Sequence, residues 1–366
     1  MDDVRKHLRL LWITMLNFTL QMNQHETYMR RALELAALGL GHVAPNPMVG
    51  ALLVYENRII GEGYHQLYGG PHAEVNCIAS VKQEDRALIA ESILYVTLEP
   101  CCHFGKTPPC TALILKHGIK KVVIASLDPF EKVNGSGYQQ LIDSGVEVIC
   151  GVLEKEARFL NRRFFTFHQE QRPYIILKWA VTADGYISGK EGSRMKISNA
   201  NTDMLVHRWR SEEQGIFAGT QTILTDNPML TNRHWTGKQP VRMTIDRSLR
   251  IPNDFNIYNA DASTVIFNDV KDDVTDHLQF VKIERGEDLY ETIRKFAYKH
   301  QIQSIIVEGG RKILDYFLHK HQWDEIRRIN ANEVYAFEGI KAPDCKELAS
   351  AETISIGNDS IEIIYR

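Results

Sequence analysis

The chain is expected to fold as two layered α/β domains, and three observations carry that reading. Short apolar strands alternate with amphipathic helical stretches from His25 onward. The alternation pauses at a polar segment ending in Pro173 and restarts with an apolar strand at Tyr174. At 366 residues the chain is long enough for two cores, each burying its own apolar surface.

The elements follow in order. Tyr28, Ala32, Leu35, Ala36 and Leu38 keep helical spacing, and Gly39 and Gly41 supply a stop. Asn46-Pro47 turns the chain into a strand over 49–55, and a second strand ends near Gly63-Tyr64-His65. A short helix is expected over 74–80, a strand over 93–98, a helix over 107–117 and a strand over 121–126. An amphipathic helix over 154–165 closes this half. The second half opens with a strand over 174–180 and continues with strands over 241–245, 264–267 and 304–307 and a helix over 312–319. It ends in a hairpin, 353–356 with 361–365, across Gly357-Asn358-Asp359. The domains are placed at 22–168 and 174–366, with no internal repeat.

Residues 1–21 read as an N-terminal extension. The run from Leu8 to Leu20 is largely apolar and follows Arg5, Lys6 and His7, but it lacks a small-x-small cleavage site and is too short to span a bilayer. A familiar protein start appears at Met22, so the extension is expected to be a disordered or loosely docked tail following an upstream start codon. The chain is expected to be cytoplasmic.

A net charge of −3 offers no broad basic surface and argues against a polynucleotide substrate. Six cysteines, three of them between positions 101 and 110, do not make a disulfide framework. They suit a reducing compartment and a metal site.

The chemistry concentrates between His72 and Cys110. His72-Ala73-Glu74 is followed by Pro100-Cys101-Cys102-His103-Phe104-Gly105-Lys106-Thr107-Pro108-Pro109-Cys110. His72, Cys101 and Cys110 would give one Zn²⁺ three protein ligands and leave a fourth tetrahedral position for water, as a catalytic site requires. Glu74 is then free to move protons, the arrangement of zinc deaminases. With His72 and Glu74 at one helix start and Cys110 at another, two helix dipoles favour thiolate and hydroxide. A structural site would want a fourth ligand, and adjacent thiols rarely span two corners of a tetrahedron, so Cys102 is expected to be a spectator.

Deaminases of nucleosides, or of bases in nucleic acids, usually close the site with Pro-Cys-x-x-Cys, whereas here position 104 is Phe and the next thiol is Cys110. Thr97-Leu98-Glu99-Pro100-Cys101 with this longer loop resembles the deaminase half of the bifunctional riboflavin-biosynthesis deaminase/reductases. The resemblance implies a cytidine-deaminase-like three-layer domain. It also implies substrate contacts at Asn46, His65, His103, Lys106 and Thr107, the last two suited to a phosphate. Asp128-Pro129 with Val133, Gly135 and Gly137 is also similar to the family.

The second half lacks the Gly-x-Gly-x-x-Gly dinucleotide fingerprint. It carries Leu177-Lys178-Trp179-Ala180, Asp184-Gly185, Gly219-Thr220-Gln221-Thr222, Asp226-Asn227-Pro228-Met229-Leu230-Thr231-Asn232-Arg233 and Val307-Glu308-Gly309-Gly310. In that order they resemble the reductase half of the same family, whose fold is similar to dihydrofolate reductase and whose cofactor is NADPH. By resemblance Ala180, Lys196, Thr222, Asp226 and Gly310 fall at the cofactor, Arg194, Arg210, Leu230, Arg233 and Glu308 at the substrate, and Lys178 and Asp184 nearby. Gly309-Gly310 before a helix would face bare N–H groups to a pyrophosphate. Arg210 and Arg233 would clamp the substrate phosphate. The family often has Ser-x-Trp-Ile-Thr/Ser after the first strand. Here Arg194 and Lys196 stand at the serine and tryptophan, and Lys196 would pair with a cofactor phosphate.

The resemblance, covering nearly the whole chain after Met22, implies an enzyme that deaminates 2,5-diamino-6-(5-phosphoribosylamino)pyrimidin-4(3H)-one and then reduces the ribosyl group to ribityl. It further implies one zinc per chain, a phosphorylated pyrimidine as substrate, no nucleic-acid or membrane partner, and a homo-oligomer, dimer or tetramer. Three alternatives stand beside it. One is a deaminase with a degenerate reductase domain. Another is a base deaminase acting on RNA, which the long thiol spacing and acidic charge disfavour. The third is a zinc-stapled scaffold, which Glu74 beside an open coordination position disfavours.

Overall fold

Helical spacing of Met29, Ala32, Leu35 and Ala36 gives the first helix, α1, over 24–37, with its apolar side buried. The structure, a computed structural model, describes residues 24–103, 108–130, 134–345, 348 and 352–366. The extension 1–21, Lys106, Thr107 and Val133 lie outside the described residues. The chain divides between Gln169 and Glu170 into two compact units.

The first unit contains β1 (Gly50–Tyr55), β2 (Arg58–Tyr64), α2 (Ala73–Ser80), β3 (Ile93–Leu98), α3 (Cys110–Lys116) and β4 (Lys121–Ser126). Then come α4 (Ser136–Asp143), β5 (Glu147–Cys150), α5 (Glu154–Leu160) and α6 (Arg162–Glu170). The sheet order is β2-β1-β3-β4-β5. β1 is antiparallel to both β2 and β3, and β3, β4 and β5 are parallel. Alternate residues of each strand bury on opposite faces, as the pleat requires. Leu53, Val96 and Ile124 meet Cys77, Ile114 and Leu141 of α2, α3 and α4, while Leu52, Tyr95 and Val123 meet Met29, Ala32 and Ala157 of α1 and α5. The result is three layers. Two glycines allow the close packing. A Cβ on Gly50 would lie 2.0 Å from the Ala32 carbonyl oxygen, and one on Gly63 would lie 2.2 Å from the Cys77 nitrogen. The second approach seats α2, and with it His72 and Glu74, on the sheet.

Several sequence expectations needed correction. The helix expected over 154–165 breaks at Asn161, whose side chain leaves the helix surface to bond Met48. The polar stretch from His168 is helical through Glu170, because Phe164, Phe165 and Phe167 bury the other side of α6. The third helix starts at Cys110, and β5 had not been anticipated.

The second unit holds β6 (Tyr174–Thr182), α7 (Ala200–Glu212), β7 (Gly215–Ala218), α8 (Thr220–Asp226), β8 (Val241–Ile245) and β9 (Thr264–Asn268). It continues with β10 (Asp273–Val274), β11 (Leu278–Lys282), α9 (Leu289–Lys299), β12 (Ser304–Val307) and α10 (Arg311–His319), then β13 (Glu325–Ala331), β14 (Glu352–Ile356) and β15 (Asp359–Tyr365). Its ten strands run in the order β10-β11-β9-β8-β7-β12-β6-β13-β15-β14. Pairing is parallel from β11 through β13 and antiparallel at both edges. The continuous apolar runs of β6, β7 and β12 fit strands covered on both faces. Leu177, Phe217 and Val307 pack with Ile293, Phe296, Leu314 and Phe317 of α9 and α10, and Ile176, Ile216 and Ile306 pack with Val206, Trp209 and Ile223 of α7 and α8. In the terminal hairpin Ile356 pairs with Asp359, so the turn is only Gly357-Asn358, with Gly357 at φ +62°. No helix among the described residues is long and apolar enough to cross a membrane.

Candidate active sites

In the first unit β3 delivers Cys101, α2 starts at His72, and α3 starts at Cys110. These three residues place one ligand atom each within 4.8 Å of one another. His72 Nδ1 lies 3.2 Å from Cys110 Sγ and 3.6 Å from Cys101 Sγ. Zinc bond lengths in a tetrahedron put a nitrogen and a sulfur about 3.5 Å apart, so the donor set fits the metal. The Cys101 sulfur accepts hydrogen bonds from the Cys110 thiol, His72 and the Cys110 main-chain N–H, and these draw its pKa down to about 4. The hydrogen bond to Cys101 and burial push the Cys110 thiol the other way, and a bound cation would favour the thiolate form of both.

Glu74, in the first turn of α2, is 3 % exposed. Burial raises its carboxyl, and the Cys101 charge raises it further. Beside His72 stands His65, their rings 5.7 Å apart and edge to face. His65 Nδ1 donates to the Pro71 carbonyl at 2.9 Å, since a carbonyl can only accept, and Nε2 then accepts from Asn46 Nδ2 at 3.1 Å. Burial lowers its pKa, in the direction that favours the neutral ring. Two expected contacts, Asn46 and His65, are thus joined beside His72. His103 is exposed and faces Phe130 at 6.4 Å, and Cys102 stays out of the converging trio.

Two residues that sequence reasoning missed hold this site together. Asn161 receives the Met48 N–H at 2.8 Å and donates to its carbonyl at 2.8 Å, fixing the turn that carries Asn46. Glu99 accepts four main-chain N–H groups, from Asp128 and Gly135 on one oxygen and Gly137 and Tyr138 on the other. It caps α4 from outside and seats the segment around Asp128, whose carboxyl burial raises to about 7. No spacing rule points to either residue, because their partners lie far along the chain.

In the second unit Glu308 at the end of β12 is the centre. Arg210 of α7 donates to both carboxylate oxygens at 2.7 Å, and Lys178 of β6 lies at 3.5 Å. Burial alone would raise the Glu308 carboxyl, but Arg210 and Lys178 hold it at about 2. The Arg210 fork also reaches the Thr231 carbonyl. The expected clamp of Arg210 with Arg233 therefore differs, because a buried carboxylate claims Arg210. Arg233 is exposed, bonds Thr231 Oγ1 at 3.0 Å, and feels the like charge of Arg194, which also faces Asp226. Two guanidiniums thus share one neighbourhood. Leu230 has φ +50° and is buried among core residues, while Ala180 is half-buried on β6.

Gly309, at φ +93°, and Gly310 lead into α10, and a Cβ on Gly310 would sit 2.9 Å from Thr222 Oγ1 on α8. Bare backbone at a helix start beside a hydroxyl fits a dinucleotide pyrophosphate. Lys196 instead pairs with Asp203 at 3.0 Å on the surface. Asp184 accepts from Thr182 Oγ1 and from the N–H groups of Ala336 and Phe337, so it braces a loop.

Comparison with known proteins agrees with the division into two domains. The cytidine and deoxycytidylate deaminase zinc-binding region matches residues 22–126, and the RibD C-terminal domain matches residues 173–331. The riboflavin biosynthesis protein RibD of Aquifex aeolicus is 37% identical over 343 residues, 92% of this chain and 95% of that protein. RibD of Actinobacillus pleuropneumoniae is 39% identical, covering 81% and 82% of the two chains. The crystal structure of a diaminohydroxyphosphoribosylaminopyrimidine deaminase/5-amino-6-(5-phosphoribosylamino)uracil reductase from Thermotoga maritima superposes with a TM-score of 0.85 at 34% identity, covering 94% of this chain and 99% of that one. The chain belongs to the RibD family, the bifunctional enzymes of riboflavin biosynthesis that join a zinc-binding deaminase domain to an NADPH-using reductase domain.

Proposed function

We propose that the first unit deaminates 2,5-diamino-6-(5-phosphoribosylamino)pyrimidin-4(3H)-one and that the second reduces the product's ribosyl group to ribityl. The reading rests above all on one observation, the convergence of His72, Cys101 and Cys110 within 4.8 Å. These three residues would hold the metal, which when bound supplies Lewis-acid polarisation. Glu74 takes a proton from the attacking water and delivers it to the departing amino nitrogen, the task of a general base that becomes a general acid. Asn46 and His65 orient the pyrimidine, with His103, Lys106 and Thr107 toward its phosphate end. In the second unit NADPH supplies the hydride. Gly310, Thr222, Asp226 and Ala180 line its place, with Lys196 at the edge. Arg233 and Arg194 take the substrate phosphate, while Arg210 and Lys178 fix Glu308 at the sugar, near Leu230.

The same reading places the domains at 22–168 and 174–366 with 1–21 as a dispensable extension. By family resemblance it includes a cytoplasmic homo-oligomer, dimer or tetramer, which light scattering tests. Glu74→Gln is expected to cut ammonia release by about 10²- to 10⁴-fold with zinc retained, while NADPH oxidation on already deaminated substrate stays at the wild-type rate. Arg233→Ala is expected to do the reverse. Loss of both activities in a folded, zinc-loaded variant would refute two separate sites.

A further inference from the structure

His207 belongs to no motif singled out in the sequence, and it sits on α7 one turn before Arg210. It is 5 % exposed. Its Nδ1 lies 3.0 Å from the main-chain nitrogen of Arg233. A main-chain N–H can only donate, so Nδ1 carries no proton and serves as acceptor. The surrounding charges keep it that way. Arg210 stands on the same helix, Arg233 and His234 on the facing loop, with the His234 ring 4.6 Å away, and Glu308 at the end of β12. Glu308 is the sole carboxylate among them and is already engaged by Arg210 and Lys178. Burial, Arg210 and Arg233 together lower the His207 pKa to about 4.

We propose that His207 is a positioning residue of the reductase, which fixes the backbone of Arg233 and so sets where its guanidinium meets the substrate phosphate. The neighbouring residues show how the segment is held. Arg210 grips the Thr231 carbonyl, and Gln239 grips both the N–H and the carbonyl of Asn232. Of the peptide that joins Asn232 to Arg233, Gln239 holds the carbonyl and His207 holds the N–H of Arg233. The inference rests on the reading that Arg233 takes the phosphate.

The test uses the full zinc-loaded chain with NADPH and the deaminated, phosphorylated substrate. His207→Leu leaves a buried N–H without an acceptor, so KM for that substrate is expected to rise about five- to hundredfold, with kcat within about threefold. His207→Asn keeps an acceptor at the δ position and is expected to restore KM to within about threefold of wild type. On substrate lacking the phosphate, the leucine and wild-type enzymes are expected to match. If His207→Leu fails to fold, His207→Gln replaces it, because it moves the acceptor to the ε position. An unchanged KM in His207→Leu (or its Gln replacement) alongside a raised KM in Arg233→Ala overturns the positioning role alone. Equal damage by leucine and asparagine also overturns it, since ring packing would then be the cause. An unchanged KM in Arg233→Ala overturns the phosphate reading, and the inference falls with it.

Discussion

Replacing Glu99 with glutamine keeps the side chain's size and exchanges one carboxylate oxygen for an amide NH₂. In the native chain the two oxygens receive four main-chain N–H groups at 2.8 to 3.1 Å, two on each oxygen. Glutamine can satisfy two of the four and turns a donor toward the other two, one of them buried and one partly buried. Each buried N–H left without a partner costs about 1–3 kcal/mol, so the variant loses roughly 2–6 kcal/mol. With a urea dependence of about 2 kcal/mol per M, the midpoint falls by roughly 1–3 M. Two probes separate the units. Zinc release to a colorimetric chelator follows the first, and tryptophan fluorescence follows chiefly the second, because four of the five tryptophans, Trp179, Trp209, Trp235 and Trp323, lie there. The zinc-release midpoint is expected to drop while the fluorescence midpoint holds. A drop under about 0.3 M would refute the claim that these bonds seat α4 and the Asp128 segment.

Two further outcomes are expected. Cys110→Ser is expected to lose most of its zinc and Cys102→Ser to keep one per chain, as measured by metal analysis; the opposite pattern would reassign the ligands. Glu308 has a folded pKa near 2 against about 4.3 in an unfolded chain. Its contribution is therefore fully present above pH 4.3 and is lost as pH falls toward 2, so Glu308→Gln is expected to flatten the acid limb of the second unit's stability curve.

The strands were legible because they are continuous apolar runs. β3, β4, β8 and β12 fall where the spacing put them, since burial on both faces leaves little room for any other pattern. The limits of Ser136–Asp143 were not legible because its few apolar residues make no clear stripe, and it starts on Gly135 with a cap supplied by Glu99 from elsewhere. The zinc trio was legible because catalytic zinc restricts ligand type and number. Side-chain pairings were not. Nothing in the motif order says that Arg210 would be claimed by Glu308, 98 residues away, or that Lys196 would find Asp203. Asn161 illustrates the same limit, for its hydrogen bonds lie 113 residues back at Met48 and break a helix the spacing had drawn as continuous.

The position of β6 in the ten-stranded sheet has a consequence for synthesis. β6 is the first strand of its unit to leave the ribosome, yet its two neighbours are β12 and β13. From Thr182 to the start of β12 at Ser304 is 122 residues, which at about 5–20 residues per second takes roughly 6–24 s. Throughout that interval Tyr174–Thr182, an apolar strand, has neither edge paired. The five strands of the first unit, by contrast, are all made by Cys150. The nascent chain therefore emerges with one half able to close and a sticky ribbon behind it, and a truncated translation product ending before Ser304 would be a substrate for chaperones or a seed for aggregation.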